Sequence, residues 1–124
     1  MSAPLKFVCL RPDADGVSHF EDLSVDVFSR DFAPPATPFS VSELTPASQC
    51  GFLKLPAGWV GERHPSPIRM WAFFLTGEME FEASDGDKRL CVPGTAMLLE
   101  DTTGDGHRSC VIGDVDAVLA AVSL

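Results

Sequence analysis

Cations are scarce in this chain: nine of its 124 residues are Lys or Arg against eighteen Asp or Glu, a formal charge of −9. Duplex nucleic acid and anionic lipid surfaces both reward clustered Lys and Arg, so neither is an expected partner. Long apolar runs are missing as well. The opening MSAPLKFVCLRPDADG is broken at Arg11 and Pro12, too soon for a signal-peptide core or a membrane span, and a cytoplasmic protein is expected. Paired cysteines are absent. Cys9, Cys50, Cys91 and Cys110 stand singly without C-x-x-C spacing, which points away from structural zinc or a redox dithiol and towards reduced thiols acting as small buried hydrophobes. No helical stripe longer than about two turns, no internal repeat and no low-complexity tract is visible.

What the chain does have is apolar residues, 45% of the total, and ten Gly and ten Pro to punctuate them. That composition and length suit one globular domain with one hydrophobic core. Residues 1–48 read as an N-terminal arm: DADG, FAPPATP and LTPAS break it, and LSVDVF and FSVSEL alternate weakly, as short edge strands do. His19, in VSHFEDL, is expected to be solvent-facing or locally hydrogen-bonded. Residues 49–124 read as strand after strand, with turn signals every eight to twelve residues. Thr76-Gly77 between RMWAFFL and EMEFEAS is a hairpin signal. In EMEFEAS, Met79, Phe81 and Ala83 alternate with Glu78, Glu80 and Glu82, giving one dry face and one wet. RMWAFFL and TAMLLE are apolar on both faces, as when one side lines a barrel and the other meets a second layer or another subunit. DAVLAAVSL fits a final strand. The expected fold is all-β, a small antiparallel barrel whose open mouth is the natural place for a ligand.

Two histidines sit beside turn chemistry, His64 after PAGWVGER and His107 at the end of EDTTGDG. The stretch from Gly58 to Gly77 resembles the first motif of the cupin superfamily, with Gly58 and His64 at the motif spacing and Gly77 as the closing glycine. Ser66 stands where that motif has its second His, and Met70 where it has its Glu. The stretch from Gly86 to His107 resembles the second motif, with Pro93-Gly94 as its turn and His107 as its single ligating His, although the Gly-to-Pro interval is one residue longer and no Asn follows at the usual offset. The segments HPSPIRMWAFFLTGEMEFEASDGDKR and PGTAMLLEDTTGDGHRS, with HFEDL and FAPPATP in the arm, are similar to small bacterial cupins with a DTTG-x-GH signature. The resemblance implies a jelly-roll barrel, or double-stranded β-helix. It selects no single function, because that fold hosts isomerases, dioxygenases, lyases, epimerases and pure binding proteins.

If the segment around His64 stays extended, Glu62, His64 and Ser66 share a face, which should be the barrel interior. The leading expectation is a small organic ligand held in the barrel, with Ser66, Met70, Arg69, Trp71 and Asp101 as further pocket residues. Asp101 or Glu100 would orient His107, and Arg69 or Arg108 would hold an anionic group. Trp59, Trp71, Phe73 and Phe74 suit core or interface as well as a ligand. One alternative is a metal-dependent oxygenase or isomerase in which His64, His107 and Glu62 hold Fe, Mn or Zn. Another is a metal-free isomerase or lyase in which His64 and His107 act as general acid and base. A third is a non-catalytic structural module. DTTGDG lacks the acidic spacing of an EF-hand and the Gly-Lys-Ser/Thr of a P-loop, so it is read as a turn. A homodimer formed through the arm is the expected assembly.

Overall fold

The computed structural model describes residues 3–124 and, among them, contains strands and no helix. Six strands form the larger sheet: β1 (Leu5–Pro12), β2 (Ser18–Val25), β5 (Gln49–Leu55), β7 (Met70–Thr76), β10 (Ala96–Leu99) and β12 (Ala117–Ser123), in the order β2-β1-β10-β7-β12-β5. The smaller sheet contains β6 (Val60–His64), β8 (Glu78–Ala83), β9 (Lys88–Cys91) and β11 (His107–Ile112), in the order β6-β11-β8-β9. β3 (Phe28–Arg30) and β4 (Phe39–Val41) pair only with each other, as a ribbon. All pairings are antiparallel except β1 with β10, which run parallel. The architecture is a jelly-roll barrel, all-β as expected.

The core lies between the two sheets. Leu10, Phe74, Met97 and Leu99 face inward from the larger sheet and meet Met79, Phe81, Ala83 and Val111 from the smaller one. Phe74 and Phe81 touch edge-on across the gap, with ring centroids 5.8 Å apart. In β8 the alternation is as expected, with Met79, Phe81 and Ala83 buried and the glutamates between them turned outward. The final apolar run is a strand, β12.

Thr76-Gly77 is not a hairpin. β7 pairs with β10 and β12, whereas β8 pairs with β9 and β11, so the chain turns a corner there from one sheet to the other. Gly77 has φ +71°, and a Cβ on it would overlap the backbone carbonyl of Asp116, where the β11–β12 connection makes the same crossing. Turn chemistry identifies a reversal but not which sheet the next strand joins.

Residues 5–25, N-terminal to the expected boundary at 48, supply two full strands to the larger sheet, and Val8, Cys9 and Leu10 are buried. The segment that follows is different. LSVDVF is split between the end of β2 and the start of β3, FSVSEL contains β4, and the ribbon carries Phe28, Phe32, Phe39 and Leu44 exposed. The four thiols are free, with Cys9 and Cys91 buried and burial pushing them up to about 11 and about 12. Cys50, expected inside, is exposed because β5 is an edge strand. No helix of the described residues is long and apolar enough to cross a membrane.

Candidate ligand site between the sheets

β6 and β11 run antiparallel, and their register sets His64 opposite His107. The two rings lie 5.0 Å apart, centroid to centroid. Both line a cavity of about 150 Å³ whose other walls are mainly apolar side chains, among them Leu53, Leu55, Trp59, Met70, Phe81 and Leu119. His107 is only 4% exposed, whereas His64 is exposed at the rim.

Each imidazole is held from behind through Nδ1. His107 Nδ1 lies 2.6 Å from Oδ2 of Asp101, a fully buried carboxyl whose other oxygen, Oδ1, accepts the Ser66 hydroxyl at 3.0 Å. The Ser66 amide donates to the Asp101 carbonyl at 3.0 Å, which staples the chain after β6 to the loop after β10. His64 Nδ1 lies 2.7 Å from the backbone carbonyl of Glu62. A carbonyl only accepts, so the hydrogen is on Nδ1 of His64. With Asp101 as a carboxylate the same holds for His107. When neutral, both rings therefore keep an unprotonated Nε2, for which no hydrogen-bond partner occurs among the described residues.

Tight backbone contacts make this pairing possible. Gly106 has φ +75°, and a Cβ there would overlap the His64 carbonyl and Pro65, so only glycine lets the DTTGDG loop come this close to β6. The Gly106 carbonyl in turn accepts the buried Ser18 hydroxyl at 2.7 Å, and Asp105 donates to the Gly16 carbonyl at 2.8 Å. The β1–β2 turn thus backs the loop that delivers His107. Gly61 has a comparable role beneath Trp59, whose ring occupies the space a side chain at 61 would need.

Of the residues expected to line the pocket, His64, His107, Ser66 and Met70 do so. Asp101 lies behind His107 and orients it. Glu100, the other candidate for that role, is taken up by Arg69, Arg11 and Cys9 on the outer side. Arg69 is drawn away by that contact, 2.7 Å from Nε to Oε2 of Glu100, and is not at the cavity. Trp71 is on the outer face, edge-on to Phe7 at 4.9 Å, because strand alternation that turns Met70 inward turns its neighbour outward. Arg108 points outward from β11 for the same reason.

Glu62 does not share the interior face with His64 and Ser66. The register pairs His64 with His107 but Gly61 with Ser109, so β6 spends three residue steps where β11 spends two. The extra residue makes a bulge, which breaks the two-residue alternation and leaves Glu62 exposed. Among the described residues, no three His, Cys, Asp or Glu side chains come together as metal ligands. The residues present therefore do not fit a site of two His and one carboxylate for Fe, Mn or Zn.

The apolar wall was less visible in the sequence. Leu53 and Leu55 lie on the edge strand β5, while Phe81 stacks on His107 at 5.3 Å. Phe81 and Met79, on the dry face of EMEFEAS, carried a signal that they point inward. Nothing in the sequence ties Ser18 to the Gly106 turn.

No family model matches this sequence, and no curated protein matches it. Solved structures do resemble the fold. One is the Schizosaccharomyces pombe Cnp3 cupin domain, 14% identical, with a TM-score of 0.48, over 99% of this chain and 85% of that one. Another is a putative ethanolamine utilization protein Q from Salmonella typhimurium LT2, 14% identical, with a TM-score of 0.41, over 98% of this chain and 97% of that one.

Proposed function

We propose that this chain binds a small, compact weak acid in the barrel, a molecule with an apolar body and one acidic hydroxyl group. The observation that carries this reading is the pair of histidines, each held through Nδ1, each left with a bare Nε2, and both lining a mainly apolar cavity. Two acceptors side by side call for a ligand that brings its own hydrogen. A cavity of about 150 Å³ matches a benzene-sized molecule. Phenols and the enols of small diketones meet both conditions.

The Asp101–His107 contact favours a second reading, in which His107 accepts the ligand's proton and returns it elsewhere on the molecule, as an isomerase or lyase requires. Asp101 stabilises the imidazolium formed in that exchange, and His64 at the rim serves as the partner acid once its Nε2 has taken up a proton. The two readings share one first test. Phenol and acetylacetone are titrated into the labelled protein while the ring signals of both histidines are followed by NMR. Saturable shifts of both rings, lost in His107→Gln, support the proposal. Rings that ignore both probes at millimolar concentration refute it, and exchange of carbon-bound hydrogen for deuterium faster than in protein-free buffer separates catalyst from binder.

A further inference from the structure

Ser18, Ser66, Asp101, His107 and Ser109 are the buried polar side chains of the described residues. All but the last have partners within the fold. The Ser18 hydroxyl donates to the Gly106 carbonyl, the Ser66 hydroxyl donates to Asp101, and Asp101 holds His107. Ser109 is 7% exposed, and its hydroxyl has no hydrogen-bond partner among the described residues.

β11 keeps regular register with β8 from His107 to Ile112, so its alternation is intact and Ser109 shares the inner face with His107 and Val111. It lines the same cavity as both histidines. The neighbouring strands offer it nothing, because the register sets Gly61 on one side and Phe81 on the other, neither with a polar side chain. Nor does the barrel need a serine here. Ala72, Ala83 and Ala117 are buried at other inward positions, and an alanine at 109 would fill the same space with no hydroxyl to desolvate. A buried hydroxyl without a partner weakens a fold, so its presence calls for a use. The open side of Ser109 is the cavity, and its partner is a ligand atom.

The separation of the polar groups sets the form of that ligand. Side chains stand roughly perpendicular to a sheet, and two residue steps along a strand cover about 7 Å. A single oxygen bonded to both His107 and Ser109 would hold them within about 5.6 Å of each other. The ligand therefore meets them with two oxygens. Neutral His107 accepts at Nε2 and takes a hydroxyl, whereas Ser109 has a hydrogen to give. A carbonyl is the group that Ser109 serves and two neutral imidazoles cannot.

We infer that Ser109 is a further polar anchor of the cavity and that the ligand is a hydroxy carbonyl compound, with an acidic hydroxyl for the histidines and a carbonyl for Ser109 on one small apolar frame. This rests on the weak-acid reading above and narrows it: the enols of diketones carry both groups, and phenol carries one. Two probes of similar size that differ in the carbonyl, meta-hydroxybenzaldehyde and meta-ethylphenol, are titrated separately into the parent and into Ser109→Ala, with affinities read from the histidine ring signals. Ser109→Ala should weaken the aldehyde about 5-fold and leave the ethylphenol unchanged. Its thermal midpoint should be no lower than the parent's, because the hydroxyl it removes holds nothing in the fold. A loss of affinity shared by both probes, or absent from both, overturns this inference and leaves the weak-acid reading standing. A lowered midpoint overturns it as well, since the hydroxyl would then serve the fold. Rings that respond to neither probe overturn both the weak-acid reading and this inference.

Discussion

His107 Nδ1 and Asp101 Oδ2 meet at 2.6 Å in the interior, and Asp101 has no exposed surface at all. The carboxyl also accepts the Ser66 hydroxyl, so one side chain holds two others. Asp101→Ala leaves both donors without a partner, and each unpaired buried group costs about 1–3 kcal/mol. Urea unfolding should accordingly show a loss of about 2–5 kcal/mol. Ser66→Ala removes one neutral donor and should cost about 0.5–1.5 kcal/mol. Equal losses for the two variants would mean that His107 takes nothing from Asp101.

Gly106 separates steric need from backbone preference. Gly86 shares its positive φ but has open space where a Cβ would go, whereas at Gly106 that space belongs to the His64 backbone. Gly86→Ala should cost only the left-handed conformation, about 1–2 kcal/mol. Gly106→Ala adds a collision between the two segments that bring the histidines together. Its thermal midpoint should fall well below that of Gly86→Ala, and the ring signals of His64 and His107 should shift in the former alone. Matching midpoints would show that the loop gives way freely.

Much of the barrel was legible in the sequence because strand alternation is a local property. EMEFEAS declares its dry face, and the glycine and proline spacing declares where strands stop. His64 and His107 were legible as a pair because each follows a turn and each falls on a strand. What stayed hidden depends on partners. The bulge that turns Glu62 outward exists only in the β6–β11 register, and the sheet change after Gly77 exists only because β7 finds β12. Trp71 and Met70 are neighbours with opposite surroundings, and an apolar run gives no sign of which of its faces is the interior.

The same limit explains the N-terminal residues, whose Asp and Pro content suggests an arm although Leu10 is among the largest fully buried side chains. Leu10→Ala should cost about 2–5 kcal/mol, the range for opening a cavity in a packed core. Leu44, 75% exposed beyond the β3–β4 ribbon, is the matched control, and Leu44→Ala should change stability by no more than about 0.5 kcal/mol. Denaturant unfolding of the two variants decides whether β1 belongs to the cooperative unit. A Leu10→Ala protein as stable as the parent would mean that residues 5–12 dock on a barrel already complete without them.

His19 ties two turns together and makes the fold respond to pH. Its Nε2 lies 2.7 Å from Oδ2 of Asp13, in the β1–β2 turn that backs the His107 loop, and its Nδ1 lies 2.9 Å from Oδ2 of Asp85, in the β8–β9 turn. The hydrogen bond to Asp13 comes first among the causes that raise the His19 pKa above the ordinary value, and the same contact lowers that of Asp13. A raised histidine favours the folded state most when it is protonated. Its contribution is complete below the unfolded value of about 6.5 and is lost as pH rises through the higher folded value. The Asp13 contribution has the opposite sense: it is present above the unfolded value of about 3.9 and is lost as pH falls through the lower folded value. The difference in thermal midpoint between the parent and His19→Gln should therefore be widest between these limits and shrink on both sides. Because His19 and Asp13 are open to solvent, added salt should narrow it further. A difference that stays constant from acid to alkaline pH would show that the contact holds the two turns by shape rather than by charge.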